Sequence, residues 1–117
     1  MSYEVWLLGN DGEPVLVDNH HLGATHTTGK KMLARLTITS NLREFFIDHL
    51  DPKFGIMWLN GFTGKEAQVR LAVAVKQLDA QPDPDQWKPT KGNAGFMLRE
   101  IYAWAKQHPK AVFIVMK

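Results

Sequence analysis

Two hydrophobic periods alternate along this chain, and the switches between them mark its elements. Residues 3–9, YEVWLLG, are rich in β-formers and predict a strand. Asn10-Asp11-Gly12 follows, and all three residues tolerate positive φ, so a hairpin turn is expected. Pro14 then opens VLVD at 15–18 as the returning strand, at a start position where its missing N–H is tolerated. Residues 19–31, NHHLGATHTTGKK, show neither period and predict an exposed loop. Leu36 and Ile38 alternate with polar neighbours in MLARLTIT, so residues 32–39 predict a third strand.

The period then lengthens. Leu42, Phe45, Phe46 and Leu50 form the stripe of a helix from about Asn41 to Leu50, which Asp51-Pro52 ends. FGIMWLNGF at 54–62 is an aromatic connector. Thr63 and Glu66 have the spacing of a capping box and open a long helix. Its Ala67, Leu71, Ala74, Val75 and Leu78 share one face, and Val69 and Val73 fall roughly opposite. A Pro-rich loop at 81–93 precedes a last helix at 94–107, with Ala94, Leu98, Ile101, Tyr102 and Ala105 inward. Pro109 stops that helix, and AVFIVM at 111–116 reads as a closing strand in the sheet interior. The order β-β-β-α-α-α-β predicts a single α+β domain over residues 1–117, a mainly antiparallel sheet with helices on one face.

Composition narrows the function classes. The chain has no Cys among its 117 residues, which removes disulfides and thiolate chemistry and fits a cytoplasmic protein. The N-terminus MSYEVWLLGNDGE has no basic leader, and no apolar run approaches the roughly 20 residues of a membrane span. A net charge of +2, from scattered Lys and Arg, is a weak field, so no specific nucleic-acid partner is expected. Serine occurs only at Ser2 and Ser40, outside any G-x-S-x-G elbow. His20, His21 and His26 cluster near Asp18, but their spacing fits no metal motif, and neither a metal nor a cofactor is expected.

Two polar places remain as candidates. Thr39, Ser40 and Asn41 offer three hydrogen-bonding side chains where one suffices to start a helix; Asn41, with Glu44 three residues on, is the expected cap. Lys91, Gly92, Asn93 and Gly95 stand at the start of the last helix, where backbone N–H groups and a lysine can meet an anion. The plainer alternative makes Asn93 an N-cap and nothing more.

Taken together, ITSNL at 38–42, W-x-P at 87–89 and WAKQHPKAVFIV at 104–115 resemble a family of small uncharacterised bacterial and phage or prophage proteins. The resemblance covers about residues 36–116 and implies a compact α+β fold in a phage-accessory setting, with no established activity or catalytic residues. The chain is therefore expected to be a non-catalytic binding protein for a small anionic, nucleotide-like metabolite. Thr39, Asn41 and Asn93 would hold it, Trp58 or Trp87 would stack on it, and Lys91 would meet its phosphate. The alternative is a protein–protein module, an inhibitor or adaptor of a host protein. Val69 and Val73 would then belong to an interface, including one between copies of this chain.

Overall fold

The computed structural model describes residues 2–18, 27–28, 31–78, 81–85 and 87–117. Its main sheet has three strands, β1 (Ser2–Leu8), β5 (Arg35–Thr39) and β6 (Val112–Met116), in the order β5-β1-β6. Both pairings are antiparallel: Ser2 lies opposite Thr39 and Trp6 opposite Arg35 on one side, Glu4 opposite Met116 and Leu8 opposite Val112 on the other. A second, small sheet joins β2 (Leu16–Asp18), β3 (Thr27–Thr28) and β4 (Lys31–Leu33) in the order β2-β4-β3. The helices are α1 (Arg43–His49), α2 (Gly64–Gln77) and α3 (Lys91–Gln107), with short 3-10 turns at Ser40–Leu42 and Gly55–Leu59.

The alternation in the sequence decides which side of the sheet is covered. Tyr3, Val5 and Leu7 of β1, Leu36 and Ile38 of β5, and Phe113 and Val115 of β6 are buried, while the residues alternating with them are half-buried, except buried Thr39 and exposed Met116 at the strand ends. The buried face continues into Phe46, Leu71, Leu98, Ile101 and Trp104 of the helices. This is the expected α+β domain with its core between the sheet and the helical layer.

Several expectations for single elements are corrected. The predicted strand at 32–39 is two strands that bend apart at Ala34. Ala34 is buried; its N–H donates to Val15 O and its carbonyl accepts from Leu7 N, so it joins the two sheets. Residues 15–18 follow β1 only briefly: after the Leu8–Pro14 bridge Val15 N donates to Leu7 O at 3.0 Å, and from Leu16 the chain pairs with β4 instead. Part of the predicted 19–31 loop is strand, since Thr27 and Thr28 lie opposite Met32 and Lys31. His20, His21 and His26 lie outside the described residues.

The closing strand is an edge strand of the main sheet, and β1 takes the centre. Its apolar character has a different cause. The segment at 60–63 runs along its outer edge: Gly61 N donates to Phe113 O at 2.8 Å, Phe113 N to Phe62 O at 2.8 Å, and Val115 N to Asn60 Oδ1 at 3.0 Å. Positive φ at Gly61 (91°) lets the chain turn onto that edge. With that edge sealed, β6 from Val112 to Val115 alternates half-buried and buried residues as central β1 does.

Candidate functional site

The polar stretch at 39–41 is resolved by who caps what. Thr39, not Asn41, caps the 3-10 turn, accepting from Asn41 N through its hydroxyl at 3.2 Å. Asn41 sits inside that turn, and its Nδ2 donates to Trp87 O at 2.9 Å. The surplus polar residue is thus a tether between the strand-to-helix junction and the Pro-rich loop. The α-helix proper begins only at Arg43.

The start of α3 is likewise reassigned. Thr90 is its N-cap, accepting from Asn93 N at 3.1 Å, so the helix starts three residues earlier than expected. Asn93 is buried and organises the loop before it. Its Oδ1 accepts from Asp83 N at 2.9 Å, and its Nδ2 donates to Asp85 O and Lys88 O at 3.0 and 2.8 Å. Both amide donors are therefore spent within the protein. Gly92 is buried as well, and a Cβ there would overlap the carbonyl of Gln81, so this chain segment lies against the helix start. Lys91 and Trp87 remain exposed, Trp87 to 60%. The structure brings Asn41 to Trp87 and places Asn93 behind them, but the helix start is shut by its own loop.

Trp58 belongs elsewhere. It lines an open groove of about 650 Å³ between α1 and α2, which none of Thr39, Asn41, Trp87, Lys91 and Asn93 lines. Asp51 builds this place. Its Oδ2 accepts from Phe54 N at 2.7 Å and Lys53 N at 3.1 Å, turning the chain after α1 into the 3-10 segment that carries Trp58. Its Oδ1 takes Arg70 Nη1 of α2 at 2.6 Å. The Arg70 guanidinium in turn lies over the Trp58 ring at 4.4 Å, and Trp58 packs on Phe62 with centroids 4.8 Å apart. The Phe54 N–H above all, then the Lys53 N–H and Arg70, hold the Asp51 carboxyl below the ordinary carboxylate range, against an opposing effect of desolvation.

Ile47 and Leu50 of the α1 side face Val69 and Val73 across the groove. Val69 is 77% and Val73 49% exposed, so α2 has no cover on this side among the described residues. At one end His49 Nδ1 and Gln77 Oε1 lie 3.0 Å apart and link the two helices. Sequence reasoning found Trp58, Val69 and Val73 separately but missed Asp51 and Arg70. Asp51-Pro52 carried only a helix-stop signal, although Arg70 follows Val69 on the same outward side of α2.

Among the described residues no group of three His, Asp or Glu could hold a metal ion, and no helix is long and apolar enough to cross a membrane. Comparison of the chain with protein-family models, with curated proteins and with solved structures finds no match. The geometry alone carries the functional argument.

Proposed function

We propose that this protein is a non-catalytic binding module that seats an apolar segment of another protein in the groove between α1 and α2. The observation that carries this is the pair Val69 and Val73, two β-branched apolar residues left exposed on a helix wall directly beside an aromatic floor. Exposed apolar side chains scattered singly are ordinary, whereas a row of them lining a concave surface marks an interaction site. The Asp51–Arg70–Trp58 stack gives that surface a fixed shape before any partner arrives. In the phage or prophage setting that the resemblance implies, such a module would act as an adaptor or inhibitor of a host protein.

The small anionic metabolite has less support. Its expected contacts are split between two places, Asn93 has no amide donor left for it, and Lys88 Nζ already lies 3.8 Å from the Asp83 carboxylate. The two readings part in one experiment. A photocrosslinker at position 69 should give a discrete protein adduct, and one at position 87 should not. The adducted protein, identified and purified, should bind the wild type and lose at least about tenfold affinity to Val69→Asp. A small anion released by heating, and lost from Lys91→Ala, would instead establish the metabolite.

A further inference from the structure

The chemistry of the groove narrows its occupant. Glu66, Val69, Arg70, Val73 and Gln77 follow one another at helical spacing and form a single stripe along α2. The eleven helical rises from Glu66 to Gln77 make that stripe about 16 Å long. An elongated trough of this kind takes a helix of about three turns, whose own apolar positions at i, i+3, i+4 and i+7 can meet Val69 and Val73.

Charge selects further. Three charged groups line the groove besides His49: Asp48, Glu66 and Arg70. Arg70 is compensated by Asp51 at 2.6 Å, and its guanidinium carbon stands 4.4 Å over the Trp58 ring. Asp48 and Glu66 are exposed, and neither is ion-paired among the described residues. Glu66 accepts from Thr63 N at 2.9 Å, a bond that lowers its pKa and keeps it ionised. The lysines of α2, Lys65 and Lys76, do not line the groove. Two carboxylates without an ion-pair partner among the described residues therefore line the groove beside its apolar side chains. Resting on the groove as the binding site, we infer that its occupant is a basic amphipathic helix, apolar along one face and carrying Lys or Arg beside it.

Three fluorescein-labelled synthetic peptides test this. They share one Leu stripe at helical spacing and differ only in flanking residues, which are Lys, Gln or Glu. Titrated with the full chain, the Lys peptide should bind tightest and the Glu peptide weakest. The Lys-over-Gln ratio should be about three- to tenfold and shrink as salt is raised. The double variant Asp48→Asn with Glu66→Gln should bring that ratio toward one, and Gln at position 66 retains the capping box. A central Pro in the Lys peptide should abolish its binding.

Equal binding of all three peptides, or a preference for Glu, overturns the basic partner while the groove stands, provided Val73→Asp abolishes the binding. Undiminished binding of the Pro peptide overturns the helical form. Failure of every peptide to bind removes the groove itself as the site. A concentration-dependent dimer in sedimentation, broken by Val69→Asp, makes a second copy the occupant and overturns the inference.

Discussion

Asn93 shows how one residue can be chemically conspicuous for a reason that is wholly internal. It is 2% exposed, and its side chain makes three hydrogen bonds to the backbone of the loop before α3. Removing the amide strands an N–H and two carbonyls, so Asn93→Ala should cost about 2–4 kcal/mol by urea denaturation. Asn93→Asp should fare no better, because a carboxylate cannot donate to Asp85 O and Lys88 O. Asn41→Ala loses a single exposed bond to Trp87 O and should cost about 0.5–1 kcal/mol. Asp51 is the other internally committed residue. Its folded pKa lies below its unfolded value, so its stabilisation is complete above the unfolded value and is lost as pH falls through the folded one. Stability should therefore drop on acidification below about pH 4. Glu66 titrates in the same sense. Asp51→Asn should be weaker at neutral pH and show a shallower loss on acidification, measured as denaturation midpoints across that range. An unchanged slope would separate the Asp51–Arg70 pair from acid stability.

At the scale of elements, helix starts govern this molecule more than helix faces do. The capping box of α2 is legible in T-x-x-E and is present with both of its bonds, Glu66 N to Thr63 Oγ1 and Thr63 N to Glu66 Oε1. The caps at Thr39 and Thr90 were displaced in the sequence by a nearby Asn, because Asn and Thr both cap well and spacing alone does not rank them. Two helix starts also admit another backbone at glycine. A Cβ at Gly64 would stand 2.6 Å from His108 O and 2.8 Å from Ala105 O, and one at Gly92 would overlap Gln81 O. In an ordinary helix Gly→Ala gains up to about 1 kcal/mol. Here the sign should reverse, and both Gly64→Ala and Gly92→Ala should lower the melting temperature. A Gly92→Ala protein at least as stable as wild type would show that the loop does not press on α3.

For the whole molecule, β6 and the segment at 60–63 hold each other in place. Deleting residues 111–117 removes buried Phe113 and Val115, opens the edge of β1, and strands the donors of Gly61 and Gly64. Truncating one large buried aromatic already costs about 3–5 kcal/mol, a large share of the 5–15 kcal/mol that holds a typical domain. The deleted chain should lose cooperative unfolding by calorimetry. A melting transition like that of the wild type would mean the remaining strands suffice, contrary to this packing.

What the sequence by itself determined was the three helices, the first and closing strands of the main sheet, and the buried side of each. Period-2 alternation in YEVWLL and the helical stripes of α2 and α3 follow from side-chain geometry within a single element, which neighbours do not alter. Tertiary structure decided which strand is central, because an apolar strand can be shielded by a sheet partner or, as β6 is, by a loop along its edge. It also decided the break at Ala34, whose two hydrogen bonds go to residues 19 and 27 positions away. The candidate site divided in the same way. Val69 and Val73 stood out in the sequence as apolar residues opposite the buried face, and Trp58 as an aromatic that could stack on a ligand. Their union in one groove depends on Arg70 reaching Asp51 across 19 positions, a contact that no local pattern encodes.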